Sequence, residues 1–401
     1  MRAVAAGPFA RTRAASACVP DGHRRRVGLR DGPRRTGGRE ARAEVVHVDA
    51  VTGERPGTWR GAVTGAAEDL GPGAFAFVMA TGIVSTGLAE YGASTPSAVL
   101  LWIAGAGYVA LWAAFLWRVV RRWPRVRTDL AGPSGFAFLT LVAASEVLAG
   151  RLALDGRFGA ATALTVIGVA GWLVLGYGVP LLLVCSARAL SPSQVNGTWF
   201  IWVVGTQSVA VATAALAPHT GGRALGALAS VCWAVGLLQY LLVAALALAR
   251  LLLVPMEPRE LVPPYWVFMG AAAISTLAGA RLLRLPPADS LPPDTFVRGV
   301  SAVAWSFCTW LIPLLLALGV WRHVLRRVPL RYETSLWSMV FPIGMYGVAT
   351  RELGTASGRG WMTATGGVVA WTALAVWAAV FAGMLAAPAT ALRHSRRPGA
   401  G

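Results

Sequence analysis

The sequence predicts an all-α integral membrane protein: ten transmembrane helices paired as five helical hairpins, odd helices inside and even helices outside. Three observations lead there. Apolar stretches of 20 or more residues recur after residue 71 in a chain that is 56% hydrophobic and 13% charged, whereas a soluble domain carries about 25% charged residues. The basic residues gather between these stretches. A pattern of aromatic, proline and small residue also returns about once per helical hairpin.

Residues 1–71 hold 13 Arg and 8 acids without apolar periodicity, and read as a disordered, Arg-rich cytoplasmic tail. They lack the apolar run of a secretory signal. Spans are then expected near 72–91, 97–118, 133–152, 158–185, 196–217, 222–253, 263–284, 295–322, 334–353 and 359–386. Residues 72–391 thus form one transmembrane domain, and 392–401 a basic cytoplasmic tail.

The loops set orientation. With the first span entering from inside, 15 Arg fall on the inner side, including Arg118, Arg188, Arg250 and the Arg322–Arg331 group, against 8 outside. By the positive-inside rule both termini are cytoplasmic in a multi-pass plasma-membrane protein. The formal charge of +18 is carried by Arg alone, since no Lys occurs. Its placement between apolar spans argues for the lipid bilayer as partner, not nucleic acid. Cys18, Cys185, Cys232 and Cys308 are isolated in sequence, so neither a disulfide framework nor a zinc site is indicated, and no metal or cofactor is expected.

Each odd span opens on an aromatic: Phe75, Phe136, Trp199, Trp266 and Trp337, separated by 61, 63, 67 and 71 residues. Pro72, Pro133, Pro263 and Pro264 stand where a first helical turn accepts proline. Gly82, Gly205, Gly270 and Gly344 follow within the spans, and Ala143 and Ala144 make the third span the poorest match. The stretch Leu336–Tyr346 is the most unusual. Pro342, with Gly344 behind it, is a candidate kink that removes a backbone donor mid-span, directly after bulky Phe341. Such a break is tolerated where protein or a water-filled cavity meets the freed groups, so this face should avoid lipid.

Four stretches carry a family resemblance: Phe75–Ser85, Val195–Trp202, Tyr265–Gly270 and Trp337–Met345. They resemble the tellurite-resistance/dicarboxylate-transporter family, which includes bacterial tellurite-resistance proteins, fungal malate and sulfite transporters and plant slow-type anion channels. The Trp-x-x-x-Phe-Pro run of the ninth span is the most specific part. The resemblance covers about residues 70–390. It implies five hairpins around a central pore, usually one pore per subunit of a homotrimer, with a phenylalanine of the ninth helix as plug. The matching position is Phe341. Small anions are the implied cargo: chloride, nitrate, sulfite, tellurite or a C4-dicarboxylate such as malate.

Four residues beyond each opening aromatic lies a layer of Met79, Thr140, Val203, Gly270 and Phe341, in which one ring plugs a narrow lumen. Thr81, Ser85, Thr206, Gln207 and Ser208 are further pore-lining candidates. Glu146 is the one acid well inside a span. It is either the proton-coupling group of a dicarboxylate carrier, or an ion-paired or hydrated structural group near Arg151. A membrane-embedded enzyme would need clustered ligands or a nucleophile–base pair that the sequence does not offer. An accessory protein would not need the repeat. No catalytic residue is therefore assigned.

Overall fold

A computed structural model describes residues 70–186, 191–220 and 222–395, with side chains to residue 387. The expected tail over 1–71 lies almost wholly outside the described residues, as do Arg188, Cys18 and the basic tail from 396 on.

The described residues fold as helices: α1 (Ala76–Glu90), α2 (Ser94–Arg121), α3 (Trp123–Leu130), α4 (Thr140–Leu154), α5 (Phe158–Cys185), α6 (Phe200–Thr220), α7 (Gly222–Leu253), α8 (Val267–Leu282), α9 (Asp294–Val320), α10 (Trp337–Ala356) and α11 (Gly360–Ser395). No strand occurs among them. Seven spans are long and apolar enough to cross a membrane. The amphipathic α3 was not foreseen. Pro124 opens it, and Asp129 near its end pairs with buried Arg118 of α2.

Leading helices α1, α4, α6, α8 and α10 each pack on the trailing helix that follows in the membrane series. The two kinds differ in burial. The apolar windows of α4 and α6 are 78% and 83% buried, whereas those of α2, α5, α9 and α11 are 17–22% buried. Trailing helices leave Trp102, Val174, Leu181, Val303, Trp310 and Val368 exposed. Such surfaces are at home in hydrocarbon, and a helix apolar all round suits either protein interior or lipid.

Four leading helices are entered through a tighter 3-10 turn: Gly135–Leu139, Gly197–Trp199, Pro263–Trp266 and Thr334–Leu336. Asn196 caps the second, its Oδ1 accepting from the Thr198 N–H at 2.9 Å. These ends meet one another: Phe77 packs edge-on to Trp337 and Phe136 stacks on Trp202. At the opposite ends Arg281 of α8 meets Glu90 of α1 and Glu352 of α10. Like end meets like, so α1, α8 and α10 run parallel.

Candidate functional site

The leading helices touch in a closed succession: α1 on α4, α4 on α6, α6 on α8, α8 on α10 and α10 on α1. A small cavity of about 30 Å³ is bordered by all five. Its wall is mostly apolar, with Ile83, Val147, Val211, Leu277 and Met345 each from a different helix. Arg151 and Arg281 border it toward the C-terminal ends.

The cavity residues repeat at a fixed helical spacing. Ile83 and Thr86, Val147 and Arg151, Ser208, Val211 and Ala215, Ile274, Leu277 and Arg281, and Met345 and Val348 are three or four residues apart, hence one stripe per helix, widened on α4 by Glu146 and Gly150. One turn toward the N-terminus, these stripes continue through Met79, Ala144, Val204, Gly270 and Phe341. A further turn reaches Thr140 on α4. Met79, Thr140, Gly270 and Phe341 of the expected layer thus continue the register of these stripes without bordering the cavity, and Gly270 is packed under Pro342 of α10. Val203 does not; its neighbour Val204 takes that place. Phe200 is fully buried while Trp199 is only partly so, and counting four from Phe200 restores the register.

Two neighbours fix where Phe341 points. A Cβ added to Gly270 of α8 would stand 2.8 Å from Pro342 Cγ, and one added to Gly344 would stand 2.9 Å from Ile83 Cγ2 of α1. Side chains advance roughly 100° per residue around a helix. Pro342 thus faces α8, Gly344 faces α1, and Phe341 and Met345 project between them, with Ile343 on the opposite side. Phe341 is fully buried. Other leading-helix phenylalanines, such as Phe75, Phe136, Phe200 and Phe268, pack against aromatic rings, whereas Phe341 makes no aromatic ring contact among the described residues. The α10 helix continues through Pro342, whose ring fills the groove left by Gly270.

Several polar candidates point elsewhere. Thr81 Oγ1 donates to its own turn at Phe77 O and accepts from Trp377 Nε1 of α11 at 3.0 Å. Gln207 Nε2 donates to Trp233 O of α7 at 3.2 Å. Both side chains bond to trailing helices, and neither Thr81 nor Gln207 borders the cavity. Thr206 likewise accepts from Trp172 Nε1 of α5. Ser85 is tied to Ser97 and Arg151. Thr140 turns its hydroxyl to Ala137 O. Of the polar candidates, Ser208 and Glu146 border the cavity.

Glu146 is 1% exposed and its carboxylate is pressed against Gly168 of α5, where no side chain intervenes. Neither oxygen makes a full hydrogen bond among the described residues, and the Thr165 hydroxyl of α5 is the nearest polar side chain acting on it. The anticipated pairing with Arg151 does not form. Arg151 instead donates to Asp155 at 2.6 Å and to Ser97 Oγ at 2.9 Å. Glu146 is also not the sole buried acid: Glu352 is 1% exposed and Glu90 is buried in an ion cluster. That cluster escaped sequence reading, although its members stand eleven residues beyond Met79, Gly270 and Phe341, three helical turns along the same stripes. No group of three or more metal-ligating side chains occurs among the described residues.

The family profile described as voltage-dependent anion channel matches residues 69–385. The chain belongs to that family. All four resembling stretches fall inside the match. The chain is similar to an uncharacterized membrane protein of Mycobacterium tuberculosis (strain H37Rv), 47% identical over 159 residues, covering 39% of this chain and 81% of that protein. It is similar to two uncharacterized transporters of Methanocaldococcus jannaschii. One is 26% identical over 295 residues, covering 70% of this chain and 82% of the relative. The other is 23% identical over 290 residues, covering 69% and 82%. As a voltage-dependent anion channel family member with seven spans apolar and long enough to cross the bilayer, the chain is a multi-pass membrane protein of a channel and transporter family.

Proposed function

We propose that this protein is a plasma-membrane anion channel or transporter whose five leading helices form an inner ring around a central passage plugged by Phe341. The observation that supports this reading is the stripe Phe341–Met345–Val348: Met345 and Val348 line the five-sided cavity, and the same register would carry the Phe341 ring to its foot. An apolar constriction of this kind closes both by filling space and by excluding water. The passage needs no buried cation ring for anion preference. Parallel leading helices would direct their positive N-terminal ends to one mouth, and Arg151 and Arg281 offset the negative C-terminal ends at the other. The cargo is a small anion, inorganic or a C4-dicarboxylate; the assembly is a homotrimer with one passage per subunit and both termini cytoplasmic. Membership of a transport family favours this reading over an enzyme or an accessory protein.

Reconstitution in liposomes tests it. Chloride, nitrate, malate, sulfite and tellurite fluxes are compared for the wild type and Phe341→Ala. Faster flux of at least one anion through the variant supports the proposal, and equal flux at equal incorporation contradicts it.

A second reading rests on Glu146. A buried carboxylate without an ion pair is costly to keep charged, and intramembrane acids of this kind serve proton coupling. A proton-coupled dicarboxylate carrier would use it as the titrating group. Proton-gradient-driven malate uptake that survives Glu146→Gln would remove this reading.

A further inference from the structure

The C-terminal mouth of the cavity carries an ionic crossbar. Following each stripe to its C-terminal end leads to Arg151 on α4, Ala215 on α6 and Arg281 on α8, which still border the cavity, and to Glu90 on α1 and Glu352 on α10, which lie beyond it. This second layer stands about 16 Å along the helix axis from the first, at 1.5 Å per residue. Arg151 is withdrawn into bonds with Ser85, Ser97 and Asp155. Arg281 is not. Its Nη2 lies 3.2 Å from Glu90 Oε1 and 3.3 Å from Glu352 Oε1.

The first of these pairs is the informative one. In the closed succession of leading helices, α8 touches α6 and α10, and α1 touches α4 and α10. The Arg281–Glu90 pair therefore joins two helices that are not neighbours, and it has to pass over the end of the cavity to do so. Arg281 borders the cavity, whereas Glu90 and Glu352 do not. The guanidinium is thus held between the cavity and two carboxylates. Arg284 braces Glu352 at 2.6 Å, and Arg351 donates to Glu90 O at 2.7 Å while lying over the Tyr91 ring. Three Arg and two Glu leave the cluster one positive charge in excess.

We propose that Glu90, Arg281 and Glu352 form a second closure of the passage, opened when a permeating anion takes the place of the carboxylates on Arg281. The inference rests on the passage reading above and adds to it a gate that Phe341 does not control. Guanidinium suits the task because its several N–H donors can exchange one carboxylate for another oxyanion without losing charge compensation. A buried pair that loses one partner is strongly disfavoured, so the crossbar stays shut until an anion arrives.

The test separates the crossbar from the Phe341 plug. Val348→Cys places a thiol in the cavity wall, in a background with the native cysteines replaced and Phe341 retained. An anionic methanethiosulfonate reagent then reaches it only through the C-terminal mouth. Labelling is expected to speed up about tenfold, a change of about 1.4 kcal/mol in barrier, when Glu90→Gln and Glu352→Gln are combined, and also in Arg281→Gln alone. The latter keeps the Glu352–Arg284 and Glu90–Arg351 contacts and guards against a folding defect in the former. Anion flux is measured in the same variants with Phe341→Ala added. Added Glu90→Gln and Glu352→Gln should raise flux, whereas Arg281→Gln should lower anion over cation preference. Unchanged labelling in both variants would overturn the crossbar and leave the Phe341 reading intact. Faster labelling with no flux in any Phe341→Ala variant would instead overturn the passage.

Discussion

Pro342 of α10 is seated on Gly270 of α8 with no room for a methyl group between them. That contact sets the rotation of α10 and so the direction of Phe341. Gly270→Ala should force the two helices apart or α10 to turn. Overpacking of this kind costs about 1–3 kcal/mol, readable as a lowered unfolding temperature in detergent. If Phe341 is the plug proposed above, the same variant should leak anions, because the ring would be turned away from the passage. Unchanged stability and flux together would show that the contact does not position the ring.

Arg151 is 4% exposed and holds Ser85, Ser97 and Asp155, linking α1, α2 and α4. Arg151→Met removes the buried guanidinium that ties these three together, while Ser85 and Ser97 still bond each other and Asp155 is open to solvent. The loss is therefore expected at about 1–3 kcal/mol, the cost of hydrogen bonds to a charged group, read as a lowered unfolding temperature. Adding Asp155→Asn should change stability little further.

Trp377 Nε1 donates to Thr81 Oγ1, joining α11 to α1. Trp377→Phe keeps an aromatic ring but deletes the donor and part of the indole, so stability should fall by at least the roughly 1 kcal/mol of the lost hydrogen bond. Anion flux should not change, since Thr81 faces α11. A change in ion preference in Thr81→Val would return Thr81 to the passage wall.

The fold was legible because a helix in hydrocarbon must be apolar over its whole length. The spans at 158–185 and 222–253 therefore read directly as α5 and α7. The short α3 was hidden in a loop rich in Arg, and the 3-10 turns carry no composition of their own. Side-chain direction in the leading helices was the harder part. A helix buried on every side has no polar face to give its rotation, so Thr81 and Gln207 could not be told from wall residues by pattern. Their partners, Trp377 and Trp233, lie far away in sequence. The burial of Phe341 away from lipid was legible for the opposite reason: Pro342 and Gly344 beside it are costly within a helix unless the neighbours demand them. The charges at the C-terminal mouth looked like ordinary helix-end residues until the stripes aligned them.

The most direct measurement is anion conductance through a graded series at one position: Phe341, Phe341→Leu and Phe341→Ala, at matched protein incorporation in planar bilayers. The account predicts that conductance rises as the side chain shrinks, with Ala well above Leu and both above the wild type. Equal conductance across the series, from protein that is folded and inserted, would contradict Phe341 as the plug.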